Sequence, residues 1–324
     1  MRLFAAIMAF IAALVCGAGA EASPQGKRIA LLATLNTNPY VGAWTSTFIK
    51  AAQSYGMKVT NQQSPYDAAL QSQQVDDAIA QKFELIVIDY INDRAIIPAL
   101  TRAKAAHVPV VLMATPLEKQ YDDLILSYIG TDHSDLGRIA GENLVKALAE
   151  EGKTKANVIA VTGLAQQLHV QQRMAAFKAV LAQHPGIHLV AVEDGKWNTA
   201  VSETVTGQLL VRESGKGGVD GIFAMADNQA TGAIQGVESA GLKLGVKNKG
   251  IVVVASNCMK DGIIHIKSGE QFSTATQIPT EEATFAAKKI AAYFNGAKLK
   301  KDEIVKSYGI TAANVEKFAA ACSY

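Results

Sequence analysis

The chain has 324 residues, with 31 Lys and Arg against 29 Asp and Glu, a formal charge of +2. Scattered, nearly balanced charge lacks the electrostatic footprint of a DNA- or RNA-binding protein, so no nucleic acid partner is expected. Roughly 300 residues beyond a short leader exceed what one hydrophobic core usually organises, which makes two domains the expectation.

In the leader, Arg2 precedes the apolar run Leu3 to Val15, and the small residues of "CGAGAEAS" follow. That three-part pattern reads as a secretory signal cleaved after Ala20 or Ala22, because the run is too short to span a bilayer comfortably. Val15 is branched where a lipid-anchored leader needs a small residue before Cys16. The expected location is therefore the periplasm. Removing the leader leaves Cys258 and Cys322, which we expect to be bridged in an oxidising compartment. By chain-entropy arguments so long a loop contributes roughly 3 to 5 kcal/mol. Two free thiols on titration of the unreduced, denatured protein would contradict the bridge.

In chain order, "RIALLAT", "MKVTNQQ", "LIVIDY" and "VPVVLMA" read as strands, separated by the helical stretches "VGAWTSTFIKAAQSYG", "ALQSQQVDDAIAQ" and "RAIIPALTRAKAAH". Continuous apolar runs alternating with helices indicate a parallel sheet covered on both faces. After "LSYIGTD" the pattern restarts with "NVIAVTG", "IHLVAVEDG", "GIFAMAD" and "IVVVAS". The expected fold class is α/β, two doubly wound parallel-sheet (Rossmann-like) domains, with chain crossings near Gly130 to Asp132 and near Gln277 to Pro279. Ser134 or Asp135 is the expected cap of "LGRIAGENLVKALAEEG", with Gly152 at its end, and Gly56 and Gly241 close two other helices.

Open parallel sheets present ligand groups just beyond the carboxyl ends of their strands. Those positions hold Asn38, Tyr40, Asp89, Thr115, Trp197, Asp227, Asn257 and Gln277, with Arg173 on the first helix after "NVIAVTG". Carboxylates and amides take paired hydroxyls, Arg donates to oxygens, and aromatic rings cover apolar C–H faces. Such a set suits a small polyhydroxylated molecule held between two lobes.

With these residues in view, the chain resembles the type I periplasmic binding proteins of the ribose and galactose group, which deliver sugars to ABC importers. "TLNTNPY", "QQRMAAF", "IFAMADNQATGA", "IVVVASN" and "STATQIP" carry the resemblance along essentially the whole chain after the leader. It implies Asn38, Tyr40, Asp89, Arg173, Trp197, Asn257 and Gln277 in the cleft and a three-crossover hinge, the third crossing being close to Ile310 and Thr311. The implied division is 1–22 as signal, 23–131 with 278–310 as the N-terminal lobe, and 132–277 with 311–324 as the C-terminal lobe. Departures from the ribose-binding pattern fall at Ala114 and Thr115, at Ala226 and at Asn257, where ribose binders carry Asp-Arg, Asn and an acid. Each lost charge-assisted hydrogen bond is worth about 1.5 to 3 kcal/mol of gross interaction. A polyol, or a deoxy or modified sugar, is therefore expected rather than ribose. The expected partner is an ABC transporter permease, and the protein is expected to be a monomer.

Plainer readings stand beside these. Trp44 is spaced with Phe48 and Tyr55 on one helical face and belongs to a core. Asp89 and Asp227 could each cap the following helix instead of meeting ligand, Trp197 could be an ordinary loop residue, and a lone Arg173 on a helix is usually solvated. No cofactor, metal or catalytic residue is expected. "EGKT" at 151–154 has Ala147 where a phosphate loop needs its first glycine, and Pro185 and Gly186 break the spacing of His184 and His188. Two alternatives stay open: a receptor that signals to a chemoreceptor or sensor kinase, and an exported hydrolase or isomerase using Asp89 and Asp227.

Overall fold

The computed structural model describes residues 23–324, so the signal reading of residues 1–22 lies outside the described residues. The first sheet is laid down by β1 (Arg28–Ala33), α1 (Pro39–Ser54), β2 (Lys58–Gln63), α2 (Ala68–Ala80), β3 (Leu85–Ile88), α3 (Ile97–Ala105), β4 (Val110–Leu112) and β5 (Ser127–Thr131). The chain then builds a second sheet through α4 (His133–Glu150), β6 (Ala156–Thr162), α5 (Leu168–Leu181), β7 (Ile187–Asp194), α6 (Thr199–Ser214), β8 (Gly221–Ala224), α7 (Asp227–Ser239), β9 (Val252–Val254), α8 (Lys260–Ser268) and β10 (Ser273–Ala275). It continues through α9 (Pro279–Phe294), β11 (Asp302–Val305), β12 (Gly309–Thr311) and α10 (Val315–Phe318).

Strand orders are β11-β5-β4-β3-β1-β2 and β12-β10-β9-β8-β6-β7. Pairing is parallel throughout except for β12, which runs antiparallel to β10. The four-residue apolar runs Leu85–Ile88 and Gly221–Ala224 are buried throughout because helices cover both faces of each sheet. In both sheets the order reverses beside the first strand, β1 and β6, and that switch point opens the crevice where ligands of such folds sit.

Helix α9 follows β10 of the second sheet but packs on α1 of the first, with Ala283, Ala286, Ala287 and Ile290 in one core with Trp44 and Phe48. Trp44 is fully buried and stacks on Phe48 at 5.0 Å. Tyr55 does not join them. It follows the last turn of α1 at the helix cap and is 39% exposed. The cap of α4 is Asp132, whose carboxylate accepts from Ser134 N at 2.8 Å, rather than Ser134 or Asp135. Asp135 instead pairs with Arg138 on the helix surface.

Three segments join the sheets: Asp132 between β5 and α4, Thr276 to Ile278 between β10 and α9, and Lys306 to Tyr308 between β11 and β12. Gly309–Thr311 thus pairs within the second sheet, and the third crossing precedes the Ile310 and Thr311 expected from the sequence. Beyond β12, Cys322 is disulfide-bonded to Cys258, with a Cα–Cα separation of 5.1 Å.

Close helix packing sets the position of α5, the helix that carries Arg173. A Cβ on Gly137 of α4 would lie 2.0 Å from the carbonyl oxygen of Arg173. Backbone cannot yield as a flexible side chain can, so Gly137→Ala must push the two helices apart. Overpacking of this kind costs about 1 to 3 kcal/mol, and a clear fall in the urea midpoint is the expected result. An unchanged midpoint would show that the helices accommodate the methyl group without separating.

Candidate functional site

Loops from the carboxyl ends of both sheets meet around one cavity of ≈ 70 Å³. At the volume one water needs, that is room for roughly five to seven waters, the scale of one small sugar or polyol. Eight of the nine residues read from the sequence line it: Asn38, Tyr40, Asp89, Thr115, Arg173, Trp197, Asn257 and Gln277.

Asp227 does not line the cavity. It is fully buried in the second lobe, where its carboxylate accepts from Met259 N at 2.8 Å, Gln271 Nε2 at 2.8 Å and Thr274 Oγ1 at 2.9 Å. It makes no capping hydrogen bond to α7 either. Its work is to tie the loop after β9 to β10, and a Cβ on Gly262 would lie within 2.4 Å of its carboxyl carbon.

Arg173 is 2% exposed, and its guanidinium organises the centre of the site. Nη1 donates to Met225 O at 2.9 Å and to Asn257 Oδ1 at 3.1 Å; Nη2 donates to Gln277 Oε1 at 2.6 Å. Nε and Nη2 both approach His133 Nδ1, at 3.2 and 3.1 Å. All five N–H groups of the side chain therefore have partners within the protein. Burial lowers its pKa to about 10, so the cation persists at neutral pH. Burial and the Arg173 charge together hold His133 well below the ordinary histidine range. Neutral His133 accepts through Nδ1, which leaves Nε2 to donate to Ala114 O at 2.6 Å.

Each lobe arms its side of the cavity in the same way, with one end of a side chain fixed and the other free. Asn38 caps α1, accepting from Tyr40 N at 3.0 Å. Asp89 Oδ2 accepts from Thr34 Oγ1 at 3.1 Å, and burial raises the carboxyl pKa to about 7. It caps no helix: Asn92 accepts from the amides that precede α3. Trp197, at φ +54°, donates from Nε1 to Gln167 Oε1 at 2.8 Å and stacks on His169 at 5.3 Å, while Asn228 Nδ2 holds its carbonyl at 2.8 Å. Gly163 is required beneath that ring, since a Cβ there would lie 1.9 Å from the indole. Across the cleft, Thr115 Oγ1 meets His169 Nδ1 at 3.0 Å. Tyr40 directs its hydroxyl to buried Glu282 of α9, which also receives Thr131 Oγ1. Gln277 Nε2 lies 3.4 Å from the same phenol.

Tyr66, Gln167, His169, Asn228 and Met259 also line the cavity and were not read from the sequence. Tyr66, Gln167 and His169 follow the carboxyl ends of β2 and β6, so the strand-end rule applied to those strands finds their loops. Asp89 Oδ1, Gln167 Nε2, Asn228 Oδ1 and Asn257 Nδ2 make no hydrogen bond to another described residue. The cavity thus offers amide donors, carbonyl and carboxylate acceptors and aromatic faces. Its one guanidinium is already saturated.

Two lobes closing on such a cavity define a solute-binding architecture. The family model described as "Periplasmic binding protein domain" matches residues 29–298, and the chain belongs to that family. The ribose import binding protein of Haemophilus influenzae is 25% identical over 274 residues, 84% of this chain and 88% of the relative. The D-apiose import binding protein of Paraburkholderia graminis is 26% identical over 294 residues, 89% of this chain and 88% of the relative. In fold the chain is similar to a crystal structure of a galactofuranose binding protein, with a TM-score of 0.84 at 20% identity, covering 91% of this chain and 97% of that one. Among the described residues no helix is long and apolar enough to cross a membrane, and no cluster of three or more His, Cys, Asp or Glu could hold a metal.

Proposed function

We propose that this chain is an exported receptor that closes two lobes on one neutral, polyhydroxylated molecule and presents it to the permease of an ABC importer. The observation that carries the ligand class is the saturation of Arg173: with its five donors held by His133, Met225, Asn257 and Gln277, the site has no open cationic donor to recruit an anion. What remains are neutral amides, Asp89 and aromatic faces, which suit hydroxyls that both donate and accept.

The relatives' names point to ribose, apiose and, for a Mycolicibacterium smegmatis protein, xylitol. Ala114, Thr115 and Ala226 line the cavity where the ribose-binding pattern has stronger hydrogen-bonding groups, which favours a polyol or a deoxy or modified sugar over ribose. The protein acts as a monomer and binds without turnover. Closure follows from differential affinity, the ligand engaging Asn38, Tyr40 and Asp89 on one side and Trp197 and Asn257 on the other.

A thermal-shift panel of ribose, apiose, xylitol, glycerol, hexoses and deoxy sugars tests the reading. A ligand at about a thousand times its Kd adds about 4 kcal/mol, a shift of several degrees for a chain of this size. A polyol or modified sugar is expected to give the largest shift, with the solute recovered unchanged. Ribose as the tightest ligand would overturn the reading of Ala114, Thr115 and Ala226. No shift from any sugar or polyol would overturn the ligand class.

A further inference from the structure

Asn257 and Cys258 hold φ of +92° and +58°, the left-handed region that side chains other than Asn, Asp and Gly seldom enter. Consecutive residues in that region persist only where the surroundings over-determine them. Here the backbone is tied at each step: Asn257 N donates to Ala275 O at 3.0 Å, Cys258 N to Thr274 Oγ1 at 3.3 Å, and Met259 N to Asp227 Oδ2 at 2.8 Å. The Cys258 side chain adds a covalent tie to Cys322.

That tie brings a further side chain to the site. Tyr324, two residues past Cys322, donates its hydroxyl to the carbonyl oxygen of Asn257 and lies 3.5 Å from the carbonyl oxygen of Gln277. These are the two residues whose side-chain oxygens receive Arg173, and both line the cavity. One comes from the loop after β9 and the other from the chain crossing after β10, so the phenol, donating to the first and lying against the second, sits where two separate backbone segments meet behind the cavity. Burial and the nearby Asp227 and Glu282 charges raise the Tyr324 pKa well above its ordinary value, which keeps the hydroxyl a donor.

We propose that Tyr324 is a positioning residue for ligand binding: held in place by the Cys258–Cys322 bond, its hydroxyl fixes Asn257 and Gln277 relative to each other so that their amides meet Arg173 and the ligand. The proposal rests on the reading of the cavity as a sugar or polyol site. The disulfide then acts on recognition as well as on stability, because cutting it releases the segment that carries the phenol.

Calorimetric titration with whichever sugar of the panel stabilises the wild type most tests this directly. Tyr324→Phe, which removes only the hydroxyl, is expected to weaken binding about tenfold, the effect of one lost hydrogen bond, with the ligand-free melting temperature lowered by no more than about five degrees and unfolding still cooperative. In an Asn257→Ala background the same change is expected to weaken binding less than about threefold, since coupled residues are not additive. Cys258→Ser with Cys322→Ser is expected to weaken binding at least as much as Tyr324→Phe. An unchanged Kd for Tyr324→Phe, or the same fold-loss with and without Asn257, would overturn the positioning role. A second measurement needs no ligand: amide hydrogen exchange at residues 257–259 and 277–278 is expected to quicken in Tyr324→Phe. If no panel sugar binds the wild type, the ligand reading fails by itself, and unchanged exchange at those amides sinks the positioning role independently.

Discussion

Arg173→Ala is expected to weaken sugar or polyol binding by at least a hundredfold, about 2.8 kcal/mol at 1.4 kcal/mol per tenfold, and to lower the melting temperature. Arg173 is 2% exposed, and its guanidinium joins His133 at the first crossing, Gln277 at the second, and Asn257 and Met225 within the second lobe. Removing it leaves those acceptors buried with no donor, at about 1 to 3 kcal/mol for each group left unsatisfied. On the reading proposed above, the loss in affinity does not come from a ligand contact of Arg173 itself. It comes from Asn257 and Gln277, whose amides are oriented by that donor. Arg173→Lys is expected to fall between, because an ammonium has three donors and no planar fork. Calorimetry of the two variants beside urea unfolding checks both effects, and an Arg173→Ala protein that binds the best panel ligand with an unchanged Kd would overturn the organising role.

The alternation of strands and helices up to β10 was legible in the sequence, because continuous apolar runs between helical stretches have few other structural solutions; β11 and β12, around the third crossing, were not read. What failed was direction at the ends of elements. Asp227 stands beyond β8 where the ligand rule places a site residue, yet its carboxylate turns away from the cleft toward Met259, Gln271 and Thr274. Its neighbour Asn228 takes the cavity position. A one-residue step at a helix start rotates the side chain by about 100°, and no pattern in the sequence resolves that. Asp132 in place of Ser134 or Asp135 as a cap, and Tyr55 off the buried face on which it was spaced with Trp44, are errors of the same size.

Arg173 shows a different limit. Its presence in the cleft followed from the motif "QQRMAAF", but the saturation of its donors depends on His133, forty positions earlier in the chain, and on Gln277, more than a hundred later. Tyr66 and Trp197, both at positive φ, reach the cavity through backbone turns that periodicity does not encode. The fold was thus readable from local pattern, while the polarity of the site was set by long-range partners.

Buried acids give the second large effect, and it reverses between the ligand-free and ligand-bound protein. Burial raises Asp89 and Glu282 to about 7 and Asp227 to about 6, against unfolded values near 4. A native acid with a raised pKa holds its proton where the unfolded chain has released it, so its contribution is complete below about pH 4 and is lost as pH rises through about 7. His133 and His169 oppose this at lower pH, because burial, and then the Arg173 charge, keep them neutral in the fold while the unfolded chain protonates them below about 6.5. At that value each unfolded histidine is still half protonated, so the pair offsets part of the acids' loss until about one pH unit higher, where both are neutral in both states. The ligand-free protein is therefore expected to lose about 1 kcal/mol net between pH 6.5 and pH 8, with Glu282→Gln flattening the fall. Binding is expected to run the other way, since sugar hydroxyls that donate to Asp89 favour its carboxylate and expel its proton. Affinity then falls by up to about tenfold for each pH unit below 7, and Asp89→Asn removes that dependence. Thermal melts and titrations across pH 5.5 to 8 read both slopes; slopes of the same sign would show that Asp89 does not exchange its proton for the ligand.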